Sequence, residues 1–370
     1  MTFDPHNVDL TTADPTEVVC YLDASSNEYN GQLGARISSI FVILVISSAA
    51  TFFPVLAKRV PRLHIPLYVY LFAKYFGAGV IIATAFIHLL DPAYGEIGGD
   101  SCVGRTGHWA DYSWCPAIVL TSLMIVFLMD FGAERWVEVK YGICREDPEP
   151  IMASGVEVQR VSSRQSRREL EHGHNHEHGL ATDKDQDKKH MKELESQSQL
   201  SDELSIERSF KQQIAAFLIL EFGVIFHSVI IGLNLGVAGD EFATLYPVLV
   251  FHQSFEGLGI GARMSSIPFK KDSWLPWMLC TAYGLTTPIS IAIGLGVRTT
   301  YNPGSFTANV VSGVLDSVSA GILIYTGLVE LLARDFLFDP HRTQDDKRLT
   351  FMVVSLLLGA GIMALLGKWA

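Results

Sequence analysis

Eight stretches of the chain, near residues 37–57, 67–90, 116–132, 212–237, 243–262, 275–297, 309–333 and 350–368, are apolar and about long enough to cross a bilayer as helices. Hydrocarbon offers no hydrogen-bond partner to a bare backbone, so a span of this kind must close its own bonds as a helix. Only 18% of the residues are charged, against about 25% in soluble globular domains. The expected fold is therefore an all-α integral membrane protein, a bundle of eight transmembrane helices.

The first 33 residues are acidic and polar (Asp4, Asp9, Asp14, Glu17, Asp23), with neither the basic start nor the apolar core of a cleavable leader. The first span is expected to target the chain. The boundaries read as an extracytosolic tail over 1–33, spans one to three over 34–136, a cytosolic loop over 137–208, and spans four to eight over 209–370. Lys and Arg gather in connections 1–2, 3–4, 5–6 and 7–8, while 2–3, 4–5 and 6–7 hold only Arg105 and Arg298. Positive charge marks the cytosolic face, so both termini are expected outside. A formal charge of −11 gives no footprint for nucleic acid. With no recognisable retention signal, the plasma membrane is expected rather than an organelle. Cys20, Cys102 and Cys115 fall on the outer side, where a Cys102–Cys115 disulfide is plausible, although spacing alone does not fix a pairing.

Residues 142–209 lack Phe, Trp and Tyr and are rich in charge, Ser and Gln. Such a segment buries too little to offset its ordering entropy and reads as largely disordered, with "KKHMKELESQSQLSDELSIERSF" helical on its approach to the fourth span. Within it, "EHGHNHEHG" places His172, His174, His176 and His178 at alternate positions. Imidazole suits Zn²⁺, Cu²⁺ and Ni²⁺, so the tract reads as metal binding or sensing, set against a plain solvated linker.

Ionisable groups in hydrocarbon are costly and usually face a partner or a pathway. The sixth and eighth runs are almost free of them. The fourth carries Glu221, His227, Ser228 and Asn234, and the fifth carries His252, Gln253 and Glu256. His252 and Glu256, four residues apart, project from one helix face about a turn apart. If the two spans pack together, His227 completes a mixed nitrogen and oxygen site. Gly232 with Gly236, and Gly257 with Gly261, form small-xxx-small patterns that allow such an approach. Pro247 can loosen the fifth helix just before His252. The donor set fits a divalent transition metal rather than the all-oxygen cages of Ca²⁺ or Mg²⁺. A structural His–Glu pair and a proton relay are the alternatives.

At these residues the chain resembles the ZIP family of divalent-metal transporters, fungal and plant members above all. The matching stretches are "HSVIIGLNLG", "HQSFEGLGIG", "GAGVIIATAFIHLL" and "SAGILIYTGLVELL", and the likeness spans roughly residues 34–370. It implies a central metal site between the fourth and fifth spans, lined by His227, His252, Gln253 and Glu256. It also implies inverted three-helix repeats that rock or slide. Members with two metals carry Asn and Glu where this chain has Ser228 and Ile231, so one principal ion is expected. Glu330 aligns with a carboxylate of the second position and becomes a transient ligand. His88 and Asp91 at the outer end of the second span are candidate entrance ligands. Asp316, Ser317 and Ser319, read as beginning the seventh span, and Glu221 are weaker candidates.

The expected function is import of Zn²⁺ into the cytosol by alternating access, with the ion as substrate and no prosthetic group. Iron(II) or broad divalent import, including Mn²⁺ and Cd²⁺, is the alternative within the family. A zinc exporter would be expected to have about six spans, a metal channel would fail to saturate, and a membrane receptor or hydrolase would move no metal. The small-residue faces permit a homodimer.

Overall fold

A computed structural model of the protein describes residues 8–9, 11–23, 29–60, 65–141, 184–270, 272–339 and 342–369. The chain divides into a unit of Met1–Gly132 with Phe210–Ala370 and a second unit, Ala133–Ser209. His172, His174, His176 and His178 lie outside the described residues. In the second unit, the described residues are helical, and the helix expected ahead of the fourth span is present from Lys184.

No strand occurs among the described residues. A short helix, α1 (Pro15–Asp23), precedes α2 (Leu33–Arg59), α3 (Leu67–Ile97), α4 (Trp114–Tyr141) and α5 (Lys184–Val237). Then follow α6 (Phe242–Ser266), α7 (Leu275–Val297), α8 (Phe306–Phe338) and α9 (Asp346–Leu366). The helices α2 to α9 correspond in order to the eight apolar runs. Seven of them are long and apolar enough to cross a membrane. The exception is α6, whose 25 residues suffice in length. His252, Gln253 and Glu256 pull its hydropathy down, so seven of the eight expected spans are matched by length and apolarity.

Lipid exposure explains which faces turn inward. In α2 the small polar residues Ser39, Ser47 and Thr51 are fully buried, while Phe41 and Val45 are 61% and 64% exposed. In lipid, apolar bulk has no reason to hide, and small residues let backbones approach closely. The glycines do this, but not where the sequence placed them. Side chains added at Gly232 and Gly236 would meet Ser290 Cβ at 2.7 Å and the Leu295 nitrogen at 2.7 Å, both on α7. Gly257 and Gly261 face Thr51 of α2. Gly259 meets Gly77 of α3 back to back, its missing Cβ falling 2.6 Å from the Gly77 Cα. The paired glycines thus seat α5 on α7 and α6 on α2, rather than α5 on α6.

Both α3 and α8 leave regular α geometry where they carry polar groups. The turns are π-helical over Thr84–Leu90, which holds His88, and over Thr326–Phe338, which holds Glu330. Widened turns of this kind recur at functional sites. Asp316 does not begin its helix. Ser305 caps α8 by accepting from the Ala308 amide, so Asp316 sits well inside, 4% exposed.

The disulfide joins Cys20 of α1 to Cys102 in the α3–α4 connection. The expected Cys102–Cys115 pair is therefore corrected. Cys115 is a buried free thiol on α4, accepting from the Ser317 hydroxyl at 3.5 Å. It packs with Ala93, Ile97 and Val103 in a small buried cluster, while Cys102 beside Val103 bonds to Cys20.

Candidate metal site

Helices α5 and α6 are joined by a tight turn, and a fully buried arginine holds that turn. Arg36 of α2 donates to the carbonyls of Leu235, Gly236 and Ala238 at 3.2, 3.3 and 2.5 Å. These are orphan carbonyls at the C-terminal end of α5, where a cation is also favoured by the helix dipole. The guanidinium lies over the Phe242 ring at 4.4 Å, the first residue of α6. One side chain thus fixes the exit of one site-bearing helix to the entry of the other.

Inward of this clamp, His227 of α5 and His252 and Glu256 of α6 converge. The His227 and His252 Nε2 atoms are 3.3 Å apart, and His252 Nε2 stands 3.7 Å from Glu256 Oε2. One potential ligand atom from each of the three lies within 4.8 Å of the others. All three residues are at most 1% exposed. A tetrahedral zinc with bonds of about 2.0–2.1 Å has ligand atoms roughly 3.3–3.5 Å apart. The two short edges of the triad already lie close to that spacing. It is the one such cluster of His, Cys, Asp and Glu among the described residues.

The other sequence candidates are distributed around this triad. Gln253 is fully buried and its Nε2 has no partner. The Ser228 hydroxyl, adjacent to His227 in the chain, is buried and likewise unpartnered. His88 packs its ring edge-on to His252, centroids 4.9 Å apart, and its Nε2 lies 3.2 Å from the Met363 carbonyl oxygen. Glu330 is 3% exposed and paired with Arg334 one turn along at 2.6 Å, outside the triad. Glu221 is buried on α5 with both oxygens unpartnered.

A cavity of about 500 Å³ leads to the two histidines. His88, Asp91, Asn234, Glu241 and Pro303 are among its lining residues, which places its mouth where α3 joins α4, α5 joins α6 and α7 joins α8. On the opposite side the helices close. Lys74 of α3 pairs with Asp335 of α8 at 2.6 Å, and Arg263 of α6 stands 3.9 Å from the same carboxylate. Between these ions and the triad lies the glycine contact of α3 with α6.

One residue of the site was not found in the sequence. Tyr283 of α7 is 1% exposed and donates its hydroxyl to Gln253 Oε1 at 2.9 Å, the Gln253 carbonyl at 3.2 Å and Glu256 Oε2 at 3.3 Å. The sixth run is almost free of charged groups and so carries no mark of a site. The available signal was a tyrosine in mid-span, since membrane tyrosines usually gather at the interfaces.

The ZIP Zinc transporter family model matches residues 33–367. Zinc-regulated transporter 1 of Saccharomyces cerevisiae is 57% identical, the alignment covering 100% of this chain and 97% of the relative. Zinc-regulated transporter 1 of Schizosaccharomyces pombe is 41% identical over 95% of this chain and 89% of its own. Zinc transporter 9 of Oryza sativa subsp. japonica is 32% identical over 90% and 89%.

Proposed function

Because the chain belongs to the ZIP zinc transporter family, a family of multi-pass membrane transporters and not of enzymes, we propose that it imports Zn²⁺ into the cytosol through a site made by His227, His252 and Glu256. The single observation that carries this reading is the buried triad at the inner end of a cavity lined by Asp91, Glu241 and Pro303 toward its mouth. In this reading α6 also crosses the membrane, fifth in order, with His252, Gln253 and Glu256 buried inside the bundle and Phe251 outward, so its polar residues cost little.

Sidedness has two independent supports. The Cys20–Cys102 disulfide belongs to an oxidising compartment, and it lies at the mouth end of the cavity. The excess of Lys and Arg falls on the opposite connections, the cytosolic side by charge bias. The ion therefore enters from outside and meets a site closed below by Lys74, Asp335 and Arg263.

The chemistry at the triad is exchange of water for ligands. Neutral imidazole nitrogens and one carboxylate replace the hydration shell, and a single negative charge leaves Zn²⁺ only partly compensated, which favours release. Gln253 and Ser228 supply neutral oxygen atoms beside the triad. Glu330 lies toward the closed side and becomes a transient ligand once Arg334 lets go. His172, His174, His176 and His178 accept the ion after exit. Because imidazole must be neutral to bind, acid raises the half-saturating zinc concentration.

The reading is tested by ⁶⁵Zn²⁺ influx into proteoliposomes with wild type, His227→Ala and Glu256→Ala, competed by Fe²⁺, Mn²⁺ and Cd²⁺. Saturable influx lost in both folded variants is expected. Influx that survives both changes would return these residues to packing roles.

A further inference from the structure

Above the triad, the same cavity is bordered by two carboxylates that the zinc pathway just described does not use. Glu96 lies near the outer end of α3 and Asp316 inside α8. The two helices touch here: a Cβ on Gly313 would sit 3.1 Å from the Glu96 Cβ. Asp316 is three residues beyond Gly313 and so shares its helix face. Both residues line the cavity. Glu96 Oε2 and Asp316 Oδ1 are buried oxygens with no hydrogen-bond partner, and Asp316 is only 4% exposed. Among the described residues neither group forms an ion pair, in contrast to Asp335 and Glu330, which are held by Lys74 and Arg334.

Unsatisfied buried acceptors are expensive, at about 1–3 kcal/mol each and more when charged. Two of them facing one water-accessible cavity call for a cation or a shared proton. We propose that Glu96 and Asp316 form a second, oxygen-ligand site that captures a hydrated divalent cation in the vestibule before it reaches the histidines. This rests on the cavity being the entry path of the proposed transport. The donor sets of the two sites divide the work. Carboxylate oxygens and retained waters bind a cation without stripping it, which suits hard ions as well as zinc. The triad below then selects for nitrogen affinity. The capture site sets how readily the pathway loads, and the triad sets what passes.

Mn²⁺ is the probe, because it favours oxygen ligands and binds imidazole weakly. Its free paramagnetic resonance signal would be followed on titration into the full chain in lipid nanodiscs, for wild type, Glu96→Gln, Asp316→Asn and the double variant His227→Ala/His252→Ala. Wild type and the double-histidine variant are expected to bind Mn²⁺ alike, with binding at least tenfold weaker in Glu96→Gln and Asp316→Asn. In ⁶⁵Zn²⁺ uptake those two variants should raise the half-saturating concentration while keeping the maximal rate. Melting midpoints near that of wild type would show that the isosteric changes leave the fold intact. Unchanged Mn²⁺ binding and uptake in both would overturn the site and leave a proton shared between the two carboxyls. Binding lost only with the histidines would also overturn it, placing the ion at the triad. Absence of zinc flux in wild type would instead sink the transport reading, and the Mn²⁺ titration would still report on the carboxylates.

Discussion

Replacing Tyr283 with Phe removes one oxygen from the molecule and tests whether α7 takes part in holding the metal. The ring stays, packed in the core with Ile260, Leu279 and Cys280. What goes is a hydroxyl that spans Gln253 Oε1 at 2.9 Å and Glu256 Oε2 at 3.3 Å. A hydrogen bond to a charged group contributes about 1.5–3 kcal/mol. At 3.3 Å, and shared with Gln253, the bond to Glu256 belongs at the lower end, about 1.5 kcal/mol. That is close to a factor of ten in affinity, the lower edge of the loss seen when an outer partner of a metal ligand is removed. The half-saturating concentration for ⁶⁵Zn²⁺ uptake in proteoliposomes should therefore rise about tenfold, with the maximal rate per folded molecule unchanged. An unaltered half-saturating concentration would refute the claim that Tyr283 positions Glu256. A fall in maximal rate alone would place the residue in the moving parts instead.

Asp335→Asn should loosen the closed side, because Lys74 and Arg263 would lose their shared carboxylate. A cysteine introduced by Ala78→Cys, beside this ion pair, is expected to react about tenfold faster with a thiol reagent applied from the cytosolic side, the factor that 1.4 kcal/mol supplies. Equal rates would remove the ion pair from any closing role. Gly259→Ala forces a methyl against the Gly77 backbone, and overpacking of this kind costs about 1–3 kcal/mol. A lowered melting midpoint in detergent is expected, and an unchanged one would contradict the close approach. On a thiol-counting gel under denaturing, non-reducing conditions, Cys102→Ser should free Cys20, whereas Cys115→Ser should remove one free thiol and release none. A thiol released by Cys115→Ser as well would restore the Cys102–Cys115 pair.

The helical spans were legible because apolar length is a one-dimensional property of the chain. The triad was legible in part for the same reason, since His252 and Glu256 lie four apart on one helix and that spacing alone gives a shared face. Its third member required only that α5 meet α6. What the sequence concealed is set by pairing in space. Gly232 and Gly257 announce close approaches without saying to whom, and their partners are Ser290 and Thr51. Cys102 had two candidate mates on the same side, and burial of Cys115 against Ser317 decides between them. Arg36 reads as an ordinary charge at the start of a span, and only the fold reveals the three carbonyls beneath it. The failure of α6 as an apolar span has the same root as the site: the residues that make it chemical also make it poorly lipid-soluble.

The contact of Gly77 with Gly259 has a mechanical meaning. Most helix pairs are geared, with the ridges of one lodged in the grooves of the other, so axial displacement must lift side chains over one another. At Gly77 and Gly259 neither helix carries a tooth, and the backbones of α3 and α6 rest on each other there, with the Phe76 and Phe255 rings packed edge-on beside them at 5.3 Å. A displacement there meets no side chain at the two glycines and carries the Phe76–Phe255 ring pair with it. The helix that carries His252 and Glu256 thus has a low-friction track against the helix that carries His88, and the smoothness of that track depends on two residues having nothing beyond their backbone.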